Sequence, residues 1–168
     1  DAPLAQGIAN SLIEEKIPVF GPTKEAARLE WDKAYAGEFM ARNNIPHPKS
    51  RSFRNIDEAL SYIQDQEPKN IVIKANGLAL GKGVILPESQ KGAELALAEI
   101  FQGKYGKQDT VVIQERLKGR EVSLICLTDG KTVVPLLPAQ DHKRLKDHDE
   151  GPNTGGMGAF APAPLEDD

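Results

Sequence analysis

Ile71-Val72-Ile73-Lys74-Ala75-Asn76-Gly77-Leu78-Ala79-Leu80-Gly81-Lys82-Gly83-Val84 sets two lysines and three glycines between two β-branched runs. The first run, Ile71 to Lys74, stops at Asn76-Gly77, and the second, Gly83 to Leu86, stops at Pro87. Branched side chains suit a pleated surface, so the pattern predicts two strands joined by a glycine-rich link. Glycine lets backbone N–H groups approach an anion unshielded, and the ammonium groups of Lys74 and Lys82 can neutralise it. Such a link is built for phosphate, although a flexible hairpin with solvated lysines has the same composition.

A Walker A loop is disfavoured. That motif needs G-x-x-x-x-G-K-S/T feeding a helix, whereas here three residues separate Gly77 from Gly81, Gly83 follows Lys82, and a strand comes next.

Outward from this hairpin, Thr23 caps a helical pattern carried by Ala26, Ala27, Leu29, Ala34 and Phe39 toward Asn43-Asn44. Pro46 and Pro48 then force an extended segment, and a helix follows over Glu58 to Gln66 with Ala59, Leu60, Tyr62 and Ile63 on its apolar face. Ser89 caps another helix running to about Phe101, and Thr110 to Glu115 reads as a strand. Glu121 to Leu127 and Thr132 to Leu137 form a strand pair turning at Asp129-Gly130. Near the start, Leu4, Ile8, Leu12 and Ile13 recur at helical spacing before a short strand at Pro18-Val19-Phe20. This order predicts an α+β or mixed α/β fold. Residues 1–21 hold half of an α/β unit and are expected to be the remnant of a preceding domain.

With 21 Lys plus Arg against 25 Asp plus Glu, the 168 residues carry a formal charge of −4. Acidic and basic residues alternate rather than forming a basic stripe, which argues against nucleic acid as a partner and leaves a small phosphorylated ligand open. The single cysteine, Cys126, excludes an intrachain disulfide and fits a reducing cytoplasm. It is expected to pack as a small hydrophobe. No apolar run approaches the roughly 20 residues that span a bilayer, so no membrane partner is expected. A start at Asp1 rather than Met and a stop just after a Pro-Ala-Pro stretch read as cuts within a longer protein.

Two further segments carry chemistry. Val112 to Ser123 is a strand, a short connection and a second strand, where exposed backbone groups can read an adenine edge and Glu121 can accept ribose hydroxyls. An ordinary charged hairpin is the plainer alternative. Asp141 to Ala163 has no periodicity and collects Gln140-Asp141-His142-Lys143-Arg144 and Gly151-Pro152-Asn153-Thr154-Gly155-Gly156-Met157-Gly158. Cations, amide and hydroxyl donors and free backbone in one loop suit a sugar phosphate and a small zwitterion, or else a mobile charged loop. Trp31 is read as a core or interface residue, and His47 as a spacer.

The segments VIKANGLALGKGV at 72–84, IQERLKGREVS at 113–123 and AQDHKRLKDHDEGPNTGGMGAFAPAP at 139–164, with Phe20 to Lys24 upstream, resemble the ATP-grasp ligases. Within that superfamily they resemble the glycinamide ribonucleotide synthetase family. The resemblance implies a partial ATP-grasp fold: the core starts over 22–50, a small αβ lid covers 51–118, and core with a substrate loop returns over 119–168. It also implies that Lys33 and Lys74 contact ATP phosphates and that Gly77, Gly81, Lys82 and Gly83 belong to a loop closing over them. Gln114, Glu115 and Leu117 then lie at the adenine hinge, with Glu121 on the ribose. Asp141, His142, Lys143, Asn153, Thr154, Gly155, Gly156 and Met157 are assigned to phosphoribosylamine and glycine.

The activity implied is ATP-dependent joining of those two substrates through glycyl phosphate, giving glycinamide ribonucleotide, ADP and phosphate in purine biosynthesis. No side-chain nucleophile is needed. Mg²⁺ ligands are expected beyond Asp168, so the chain alone is expected to lack turnover. A ligase with a different carboxylate and amine pair, or a nucleotide-binding module without turnover, are the alternatives, and oligomeric state is not legible. Three departures stand out: Trp31-Asp32 before Lys33 in place of small residues, Asn76 in place of aspartate, and Gln114 in place of glutamate.

Overall fold

The computed structural model describes residues 2–79, 83–106 and 109–164, and the chain divides into two compact units, Asp1–Leu117 and Lys118–Asp168.

In the first unit, β1 (Ser50–Phe53), β2 (Ile71–Ala75), β3 (Val84–Ile85) and β4 (Val111–Glu115) form an antiparallel sheet in the order β1-β4-β2-β3. Side chains alternate across a strand, so Ile71, Ile73 and Ala75 of β2 share one face with Val111 and Ile113 of β4 and Phe53 of β1. That face packs against Ala59 and Ile63 of α5 (Ile56–Gln64) and Ala93, Ala96, Leu97 and Ile100 of α6 (Gln90–Phe101). Each large aliphatic side chain removed from water here contributes roughly 1.5–3 kcal/mol. The opposite face carries Val72, Lys74, Val112 and Gln114, and α4 (Lys33–Arg42) lies beside β1 and β4.

Local sequence explains the helix ends. Asn55 accepts from Asp57 and Glu58 N–H at the start of α5, and Ser89 Oγ accepts from Gly92 N–H at the start of α6, as its position predicts. The helical pattern of residues 3–17 breaks at Gly7, whose φ of 92° separates α1 (Ala2–Gln6) from α2 (Ile8–Glu14). The pattern after Thr23 likewise divides into α3 (Lys24–Trp31) and α4, because Asp32 leaves helical geometry (φ −110°, ψ 90°) to cap Tyr35 N–H at 3.0 Å.

The strand expected at Pro18-Val19-Phe20 is absent: these residues are exposed and pair with no strand among the described residues. Conversely Ser50–Phe53, whose Ser52-Phe53 reads from sequence as the approach to the next helix, is a strand that completes the sheet because β4 offers it a free edge.

The second unit is built of two-stranded ribbons. β5 (Cys126–Thr128) pairs with β6 (Val133–Pro135), β7 (Gln140–Asp141) with β10 (Ala159–Phe160), and β8 (Arg144–Lys146) with β9 (Glu150–Asn153). The turn at Asp129-Gly130 forms as expected: the Asp129 carboxylate accepts from Lys131 and Thr132 N–H, and Gly130 takes φ 86°. The ribbon is shorter than its sequence pattern, since Glu121 to Ile125 lie outside β5. Within that stretch Ser123 bridges to Ala139, and Ile125 accepts one bond from Leu136. Cys126 is exposed, not packed, because its ribbon has no covering layer within this unit.

Candidate functional site

Lys74 sits mid-strand on β2, opposite Val112 of β4 and Val84 of β3, on the face away from α5 and α6. Lys33 opens α4, and its ammonium donates to the Gly77 carbonyl just past the end of β2. Both side chains are half-buried. Burial pushes the Lys74 ammonium below the ordinary lysine value and the Lys33 charge pushes it further. Burial also lowers Lys33, against the raising influence of Glu30 and Asp32. Two cations drawn toward each other out of water form a site that an anion would relieve on both counts.

The turn that follows is shaped by its glycines. Gly77 adopts φ 87°, and Ala79 also takes a positive φ of 47°. Gly83 donates no space: a Cβ there would lie 2.7 Å from the Ala79 Cβ and 2.8 Å from the Ala75 Cβ, while its carbonyl accepts from Ala75 N–H at 2.8 Å. Glycine at 83 is therefore a packing requirement that holds the far end of the link against β2. Gly81 and Lys82, expected in the same loop, lie outside the described residues.

Two of the three departures from the family pattern turn out to touch each other. Asn76 Nδ2 donates to Asp32 Oδ1 at 3.1 Å, and Asn76 Oδ1 accepts from Ala34 N–H at 3.1 Å. Asp32 is buried, and its second oxygen accepts from Arg28 Nε at 3.0 Å and Nη2 at 2.9 Å. Burial alone would raise the Asp32 carboxyl, but the bonds from Tyr35 N–H, Asn76 and Arg28 outweigh it and hold it below the usual carboxylate range. Sequence reasoning noted these positions as departures without giving them a role. The available signal was an N-cap residue type at 32, one step before the lysine.

At the end of β4, Gln114 is half-buried and paired with Ser50 and Val72. Glu115 is already engaged: its carboxylate accepts from Lys49 N–H at 2.8 Å and its own N–H donates to the Lys49 carbonyl at 2.9 Å. Leu117 is exposed at the limit of the first unit.

Within the second unit the two halves of the predicted substrate loop come together. His142 N–H donates to the Gly158 carbonyl at 2.9 Å, Met157 N–H to the His142 carbonyl at 2.7 Å, and Thr154 N–H to the Lys143 carbonyl at 2.7 Å. Thr154 Oγ1 also accepts from Gly156 N–H at 3.0 Å, fixing the turn that carries Gly155. Asp141 pairs with Ala159, and the backbone of Asn153 pairs with Arg144. The Lys143 ammonium is hydrogen-bonded to Glu121, with Asp141 at 3.9 Å, and the Glu121 bond raises it above its ordinary value. His142 stacks on Phe160 with ring centroids 5.6 Å apart. A crevice lined by His142, Arg144, Lys146, His148 and Met157 opens alongside. Among the described residues no three His, Cys, Asp or Glu side chains gather to hold a metal ion, and no helix is long and apolar enough to cross a membrane.

Residues 31–168 match the family described as phosphoribosylglycinamide synthetase, ATP-grasp (A) domain. The chain is 52% identical over 166 residues to the trifunctional purine biosynthetic protein adenosine-3 of Bos taurus, covering 98% of this chain and 16% of that protein. It is 49% identical over 166 residues to a phosphoribosylamine–glycine ligase of a Nostoc species, covering 98% of this chain and 39% of that one. The crystal structure of phosphoribosylamine–glycine ligase from Thermotoga maritima superposes with a TM-score of 0.83 at 38% identity, covering 94% of this chain and 41% of that one. The chain thus spans well under half the length of these relatives. The α+β architecture is accordingly an ATP-grasp fold, and the chain belongs to the phosphoribosylglycinamide synthetase family, in the part that its ATP-grasp domain occupies.

Proposed function

We propose that the chain forms the nucleotide-binding part of a phosphoribosylamine–glycine ligase, in which ATP phosphorylates the glycine carboxylate and phosphoribosylamine attacks the resulting acyl phosphate. The observation that carries this reading is the half-buried pair Lys33 and Lys74, both lowered by burial and Lys74 further by the Lys33 charge, with Lys33 bonded to the carbonyl of a glycine turn. Phosphoryl transfer asks little covalent chemistry of a protein and much positioning and charge neutralisation. Lys74, fixed on a strand, holds one phosphate oxygen. Lys33 exchanges the Gly77 carbonyl for another. The Gly77 and Gly83 backbone, with Gly81 and Lys82 between them, covers the phosphates.

Adenine is read at the Gln114, Glu115 and Leu117 segment mainly by backbone groups, which tolerates the glutamine, and Glu121 takes the ribose. Asp141, His142, Lys143, Asn153, Thr154, Gly155, Gly156 and Met157 serve the sugar phosphate and glycine. Mg²⁺ would supply further neutralisation of the phosphates when bound; among the described residues no carboxylate cluster gathers to hold it. Small molecules are the only partners this chemistry requires, and a cytoplasmic setting suits it.

The test is a coupled assay of ADP release on the full-length protein with ATP, Mg²⁺ and phosphoribosylamine. Glycine-dependent release is expected. Release that ignores glycine but responds to another amino acid or carboxylate would assign the chain to a different ligase.

A further inference from the structure

We propose that Asn76 is a positioning residue: its amide joins the cap of α4 to the turn after β2 and so sets where the Lys33 ammonium and the Gly77 backbone stand relative to each other. The inference deepens the nucleotide-binding reading and rests on it.

The geometry is a clamp between a three-residue and a two-residue segment. On one side stand Asp32, Lys33 and Ala34; on the other, Asn76 and Gly77. Three bonds cross between them: Asn76 Nδ2 to Asp32 Oδ1 at 3.1 Å, Ala34 N–H to Asn76 Oδ1 at 3.1 Å, and the Lys33 ammonium to the Gly77 carbonyl. The first two belong to the framework, since both ends are side chain or backbone already fixed by other bonds. Asp32 Oδ1 is held by Tyr35 N–H and Oδ2 by Arg28, and Asn76 N–H donates to the Thr110 carbonyl at 3.2 Å. The third is the one a phosphate displaces. Lys33 is thereby free to leave Gly77 while the residues on either side of it stay put.

Asparagine is needed because the position must donate and accept at once. Ala34 N–H requires an acceptor, and the Asp32 carboxylate requires a donor. An aspartate at 76 satisfies Ala34 but sets a second carboxylate about where the donor stood, against a buried anion. An alanine takes the acceptor from Ala34 N–H and one of the donors from the Asp32 carboxylate, which keeps Tyr35 N–H and Arg28. The polarity is reversible, however. A serine at 32 still caps Tyr35 N–H, and its hydroxyl can donate to an aspartate at 76.

The test measures kcat and the KM for ATP on the full-length enzyme for Asn76→Asp, Asp32→Ser and the double variant, with thermal midpoints alongside. Asn76→Asp is expected to raise the KM for ATP by about tenfold or more, with a smaller change in the KM for glycine. The double variant is expected to recover to within about threefold of the parent, a coupling typical of residues sharing one network. Should Asn76→Asp fail to fold, Asn76→Ser keeps one of the two bonds and is expected to give an intermediate KM. Variants that leave the KM for ATP unchanged, or a double variant no better than Asn76→Asp alone, overturn the positioning role. A parent enzyme that shows no saturable ATP dependence overturns instead the nucleotide reading beneath it.

Discussion

Lys33 and Lys74 in the first unit and Lys143 in the second are held in opposite ways. Lys33 and Lys74 are half-buried, and burial lowers both, with the Lys33 charge a further downward push on Lys74. Lys143 is exposed, bonded to Glu121 with Asp141 nearby, and raised. A lysine paired on the surface is already neutralised and gains little from a ligand until its partner is drawn away. A lysine pair pressed together in a partly dry site is destabilised as it stands, and a polyanion removes the destabilisation. Lys33 and Lys74 thus carry unfavourable charge in the free protein, whereas Lys143 is already satisfied.

The largest expected consequence is at Lys74. Lys74→Ala removes a partner of a charged group, worth about 1.5–3 kcal/mol, so affinity for a non-hydrolysable ATP analogue should fall roughly 10- to 150-fold by calorimetry. Lys74→Met should weaken binding to a similar extent while raising the thermal midpoint of the ligand-free protein by about 2–4 °C, since it replaces a half-buried charge by an apolar chain of similar length. A midpoint that falls would mean that the charge is not a burden in the free state, and the contrast with Lys143 would collapse. The matching change Lys143→Ala breaks only an exposed pair, worth at most about 1 kcal/mol, and should leave the midpoint nearly unmoved.

Gly83→Ala comes next in size. Its Cβ would meet those of Ala79 and Ala75 at 2.7 and 2.8 Å, distances that force the β2–β3 junction apart. Overpacking of this kind typically costs about 1–3 kcal/mol. Hydrogen exchange at the Ala75 N–H, which donates to the Gly83 carbonyl, should accelerate well before exchange on α5 or α6 does.

Much of this was legible in the chain itself. The β-branched runs, the caps at Thr23 and Ser89 and the Asp129-Gly130 turn are local signals, and each forms where local chemistry places it. What failed was whatever depended on a partner. Pro18-Val19-Phe20 has strand-like residues but pairs with no strand among the described residues, and Ser50–Phe53 is a strand because β4 accepts it. The break at Asp32 was hidden because the apolar pattern runs through it; only its bond to Tyr35 N–H and its link to Asn76, 44 residues on, reveal a cap. The role of Lys33 was invisible to periodicity for the same reason. A surface lysine and a lysine folded onto a distant carbonyl have the same sequence.

The smallest effect, and the one that bears most directly on the contrast, is in protons. An unfolded lysine titrates near about 10.4. Lys33 and Lys74 lie below that in the folded protein, so between their folded values and about 10.4 the unfolded state binds more protons, and their contribution to stability rises with pH through that window. Lys143 is raised, so its contribution is complete below about 10.4 and is lost as pH climbs through its folded value; the sign is opposite, and exposure keeps it small. Nucleotide phosphates return Lys33 and Lys74 toward the charged form, so within that same window binding should take up a fraction of a proton, seen as an enthalpy that varies with the ionisation enthalpy of the buffer. Lys74→Ala should reduce that dependence and Lys143→Ala leave it unchanged. Equal loss in both would show that Lys74 and Lys143 are held alike.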